Sequence, residues 1–76
     1  MTAKLLLTSW FKRYSDGKDF LEVEVPAGSS VEEVLKKSGI PLDEIGFVHS
    51  DGKMKRMSEI AGDSEELKVF TKIIGG

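Results

Sequence analysis

The residues best suited to chemistry are the last four, Ile73-Ile74-Gly75-Gly76. A carboxylate is a poor electrophile. An enzyme that uses one must first convert it to an acyl-adenylate or thioester and must reach the carbonyl closely. Glycine has no Cβ and visits both signs of φ, so Gly75-Gly76 can thread a narrow channel and take whatever backbone geometry a partner imposes. Ordering such a segment loses roughly 1–2 kcal/mol of backbone entropy per residue. A partner must therefore also grip a rigid surface on the rest of the chain.

No other constellation competes with this one. There is no Cys, hence no disulfide framework, thiolate nucleophile or Cys-based zinc site. The single His49 has no carboxylate or nucleophile spaced to form a dyad with it, and is assigned no role. Ser29, Ser30 and Ser64 fall where caps and turns need hydroxyls. No Gly-rich phosphate cradle is present, so ATP chemistry would belong to a partner, and no bound cofactor is expected.

Composition narrows the class further. Seventy-six residues with net charge −2 suit one small domain, 1–76, with 73–76 as a tail. The eleven Lys and Arg are interspersed with thirteen Asp and Glu, which argues against a nucleic-acid partner. Apolar runs such as Leu5-Leu6-Leu7 fall far short of the ~20 residues that span a bilayer, and the start of the chain has no signal-peptide character. A cytoplasmic protein, monomeric when free, is expected.

The elements that must present the tail are legible from periodicity. Lys4 to Arg13 reads as a first strand ending in the turn Tyr14-Ser15-Asp16-Gly17. Phe20 to Val25 alternates as its antiparallel partner and stops at Pro26. Ser30-Val31-Glu32-Glu33 is a capping box, and Val31, Val34 and Leu35 form one apolar stripe. Gly39 and Pro41 end the helix, which spans about Val31 to Ser38.

Ile45 to Ser50 reads as a third strand, turned by Asp51-Gly52 into Lys53-Met54-Lys55. Met57 to Ala61 is a 3₁₀ turn or loop. Leu67 to Ile73 is the last strand, with Leu67, Val69 and Ile73 facing the core and Lys68, Phe70 and Lys72 facing away. The result is an α+β fold, a mixed sheet of four or five strands with one helix packed across one face. One short helix covers one face only. The other face is open, and strand parity puts Phe70 and Trp10 on it, flanked by Lys68, Lys72 and Ile74, as a partner-binding patch; Phe47 and Val48 border it.

These features together resemble the ubiquitin-like β-grasp proteins, and more closely the sulfur carriers of molybdopterin and thiamine biosynthesis (the MoaD/ThiS type). The resemblance covers essentially the whole chain. It rests on Gly39-Ile40-Pro41 and Ile45-Gly46 after the helix, Asp51-Gly52 in the second hairpin, Gly62-Asp63 before the last strand, and Gly75-Gly76. It implies that a partner enzyme uses ATP to adenylate Gly76, with Gly75 as spacer. Sulfur from a donor then gives a thiocarboxylate that a synthase subunit consumes.

The chain departs from that pattern in three places: Asp-Gly in place of Asn-Gly, a longer loop through Ser64-Glu65-Glu66, and Thr71-Lys72-Ile73-Ile74 before the glycines. The long first hairpin is closer to the molybdopterin type. Two other readings stay open, a modifier joined through Gly76 to target lysines and a binding-only domain.

Overall fold

The computed structural model describes residues 1–72. Five strands form one mixed sheet: β1 (Thr2–Leu7), β2 (Phe20–Glu24), β3 (Ile45–Ser50), β4 (Lys53–Lys55) and β5 (Glu66–Thr71). Their order across the sheet is β2-β1-β5-β3-β4. The central strand, β5, runs parallel to its neighbour β1, with Leu5 opposite Leu67 and Leu7 opposite Val69. The β1–β2, β3–β4 and β3–β5 pairs are antiparallel.

The helix α1 (Val31–Ser38) lies on one face. Its Val31, Val34 and Leu35 share a single buried core with Ala3, Leu5, Leu7, Val48, Leu67 and Val69. Withdrawing each such Leu or Val from water is worth about 1.5–3 kcal/mol, which dominates the stability of a chain this small. Alternation within β1 and β5 puts their odd-numbered residues inward, as the period-2 reading requires.

The helix begins where the sequence places it. Ser30 Oγ accepts from the Glu33 N–H at 3.2 Å, and the Ser30 N–H donates to Glu33 Oε1 at 3.0 Å. The remaining first-turn donors, the N–H groups of Val31 and Glu32, reach the carbonyls of Glu59 and Met57. The segment expected as a 3₁₀ turn or loop is thus an irregular strap that satisfies the helix start. At the far end Gly39 takes the left-handed conformation, φ 87°, that stops the helix. The Asp51-Gly52 turn has both residues at positive φ, 57° and 79°, the mirror-image geometry that matches strand twist.

The first strand is shorter than its apolar run implies. It ends at Leu7, and Ser9–Tyr14 winds into a 3₁₀ helix in which the Phe11 N–H donates to the Thr8 carbonyl. Phe11 is fully buried from this 3₁₀ helix, so its apolar character does not distinguish a strand from a short helix. The β1–β2 pair is therefore closed by a helical excursion, and the side-chain parity assigned to Trp10 has no strand to act on.

Candidate functional site

The face of the sheet away from α1 carries a row of mixed apolar and polar side chains that crosses all five strands. Phe20 on β2 lies opposite Leu6 on β1, Leu6 opposite Lys68 on β5, Lys68 opposite His49 on β3, and His49 opposite Met54 on β4. Met54 is 66 % exposed and Phe20 40 %. One step along β5, Phe70 pairs with Phe47, their rings stacked at 4.7 Å and 16°. The His49 ring packs at 5.2 Å from both. Lys68 Nζ sits 5.4 Å above the Phe70 ring and Lys4 Nζ 4.9 Å above Phe20, so ammonium groups border the aromatic surface.

On the α1 side of the sheet, where Lys55 stands opposite the buried Val48, a partly buried ion pair braces the β4 edge. Lys55 Nζ lies 2.9 Å from Glu65 Oε2, with the two side chains 19 % and 22 % exposed. Glu65 also accepts from the Ser50 hydroxyl and, at 2.7 Å, from the Gly62 N–H. Burial pushes the Glu65 carboxyl up, but these hydrogen bonds and the Lys55 charge outweigh it and bring it down to about 2.

The C-terminal end of β5 is where the sheet hands over to the tail. Glu44 closes a short 3₁₀ helix, Leu42–Glu44, and its carboxylate accepts from Tyr14 Oη at 2.7 Å and Trp10 Nε1 at 3.2 Å. These bonds, the Tyr14 bond foremost, hold the Glu44 carboxyl below its ordinary value and raise the Tyr14 phenol. Arg13 stacks over the Trp10 ring at 4.2 Å. The main-chain carbonyl of Glu44 accepts from Thr71 Oγ1 at 3.1 Å and from the Lys72 N–H at 3.4 Å. Beside it the β3–β5 ladder slips by one residue at Gly46. A Cβ at Gly46 would lie 2.7 Å from the Thr71 carbonyl oxygen and 2.9 Å from Lys72 Cα.

Of the residues singled out from sequence, Phe70 and Lys68 lie on the open face, and Lys72 is exposed immediately beyond β5. Trp10 does not join them by cross-strand parity. It stands on the 3₁₀ helix, 43 % exposed, and contributes to the Glu44 anchor at the tail root. Ile74, Gly75, Gly76 and the core placement of Ile73 lie outside the described residues.

Sequence reasoning left out Leu6, Phe20, His49 and Met54, and gave Phe47 only a bordering place. His49 and Met54 were within reach, since the Asp51-Gly52 turn fixes their register. Leu6 and Phe20 needed the β1–β2 register, which a twelve-residue connection hides. Among the described residues no three His, Asp or Glu side chains gather to hold a metal ion. Nor is any helix among them long and apolar enough to cross a membrane.

Neither a family model nor a curated protein matches the sequence. Solved structures do match the fold. SAMP1 from Haloferax volcanii superposes with a TM-score of 0.75 at 19 % identity, each chain covered completely. A second structure, H. volcanii small archaeal modifier protein 1, gives 0.76 at 17 % identity over 95 % of this chain and 98 % of the other. A Pyrococcus furiosus protein described as a molybdopterin converting factor, subunit 1, gives 0.70 at 18 % identity over 96 % and 99 %. With its mixed five-stranded sheet and single crossing helix, the chain has the ubiquitin-like β-grasp fold of these structures.

Proposed function

We propose that this protein is a sulfur carrier that works in the cytoplasm. The Gly76 carboxylate attacks the α-phosphorus of ATP in the site of an activating enzyme, releasing pyrophosphate and leaving an acyl-adenylate. Sulfide supplied by a donor then attacks the carbonyl, AMP departs, the thioacid loses its proton, and a thiocarboxylate remains for a synthase subunit to consume in molybdopterin or thiamine formation. The open face, centred on Phe70 and Lys68, is the surface the activating enzyme grips, and Lys72, Ile74 and Gly75 lead into its channel. No step uses a cofactor held by this chain.

The observation that carries the reading is the β-grasp fold with Ile73-Ile74-Gly75-Gly76 following its central strand. The likeness to a molybdopterin converting factor subunit supports the carrier. The likeness to small archaeal modifier protein 1 favours a second reading, in which a lysine of a target protein attacks and an isopeptide forms. The two diverge only in the nucleophile.

Intact mass spectrometry of the protein from its native cells separates them. The carrier reading expects Gly76 to be the carboxyl-terminal residue and a fraction to be heavier by one oxygen-to-sulfur exchange there. Adducts through Gly76 on target lysines, with no sulfur form, would overturn it in favour of the modifier.

A further inference from the structure

The geometry points to a positioning device at the tail root: Glu44, Gly46 and Thr71 together fix the direction in which the chain leaves the sheet, independently of the face that a partner grips. Three observations converge on it. The Glu44 carbonyl is a double acceptor, for the Thr71 hydroxyl at 3.1 Å and the Lys72 N–H at 3.4 Å, so the first residue past β5 is still tied to the fold. The loop that carries this carbonyl is itself held, because the Glu44 carboxylate takes bonds from both Trp10 and Tyr14 on a separate element. Gly46 makes room, since any side chain there would strike the Thr71 oxygen and Lys72 Cα at 2.7 and 2.9 Å. Both collisions are with main chain, which no rotamer change can relieve.

Only four residues separate Lys72 from the Gly76 carboxyl. Fully extended they span roughly 13–14 Å. The root sets the point from which so short a segment starts and hence how far into a partner's site the carboxyl can reach, while a misplacement of about 1 Å at a reacting centre already costs on the order of a hundredfold in rate. The device acts on presentation of the carboxyl, and docking on the open face proceeds without it. Its catalytic part rests on the carrier reading, in which Gly76 is adenylated.

The test uses Gly46→Ala, Thr71→Val, which removes the hydroxyl at nearly constant volume, and Thr71→Ser, which keeps it. On the free protein, amide hydrogen exchange at Lys72 should be protected in the wild type. It should speed up at least about tenfold in Gly46→Ala and Thr71→Val, with Leu67 and Val69 unchanged and Thr71→Ser near wild type. Equal exchange at Lys72 in all four proteins would overturn the device.

With the adenylating enzyme encoded in the same genome, ATP–pyrophosphate exchange should lose kcat by ten- to a hundredfold in Gly46→Ala and Thr71→Val, while KM stays within about twofold. Thr71→Ser should recover kcat. A change confined to KM, or none, would overturn the positioning role. If the wild type supports no exchange at all, the carrier reading fails and the amide measurement alone decides the device.

Discussion

Lys55 and Glu65 face each other across the β4 edge and the turn that leads into β5, 2.9 Å apart and each about four-fifths buried. The folded value of the Glu65 carboxyl, about 2, lies below that of an unfolded glutamate. Its contribution to stability is therefore fully present above about pH 4.5 and fades as pH falls toward 2. Urea unfolding of the wild type should show this loss between pH 5 and 2. Glu65→Gln should cost about 1–3 kcal/mol at pH 7 and much less at pH 2.5. An equal cost at both pH values would mean that the pair contributes nothing through charge.

Phe70 and Leu67 occupy opposite faces of one strand, so truncating them should separate binding from stability. Leu67 is fully buried, and Leu67→Ala should cost about 2–5 kcal/mol. Phe70 is half-buried against Phe47 and His49, and Phe70→Ala should cost only about 1 kcal/mol. Under the carrier reading it should also raise KM for the activating enzyme. Chemical denaturation and exchange kinetics on the same two variants check both halves.

Ser30→Ala removes one of two reciprocal bonds at the start of α1 and should cost on the order of 1 kcal/mol. Restoring the cap with Asp should recover most of that loss. A thermal melt of the three proteins measures it.

Trp10 is the sole tryptophan and donates directly to Glu44. Its fluorescence should report protonation of that carboxylate, with an inflection below the ordinary glutamate range. Tyr14→Phe removes the larger of the two stabilising bonds, so the inflection should move upward in pH. An unmoved inflection in that variant would detach the signal from Glu44.

Local signals served well wherever one short stretch determined its own geometry. The capping box, the Gly39 stop and the Asp51-Gly52 turn each close within a few residues, and α1, β3 and β4 fall where they place them. They failed where an apolar run had two possible partners. Lys4 to Arg13 reads as one strand, yet Phe11 reaches the core from a 3₁₀ turn, and Trp10 faces Glu44 instead of Phe70.

Beyond the His49–Met54 pair, the row from Phe20 to Met54 is a property of register between distant strands, which no window of sequence contains. Gly46 carries a signal of the same kind. A glycine inside a strand announces a bulge or a close approach, but only the fold names Lys72 as the neighbour.

The place of β5 between β1 and β3 has a consequence for how the chain matures. Without β5, β1 and β2 form one ribbon, β3 and β4 another, and no strand joins them; isolated two-stranded ribbons are at best marginal in water. The keystone of the sheet is thus the segment synthesised after the other strands, and it pairs with the first strand across nearly the whole described chain. Such long-range closure comes late in folding. A polypeptide that stops short of β5 accordingly lacks the finished open face. Under the carrier reading, a partner that grips the open face therefore engages only chains that have already folded.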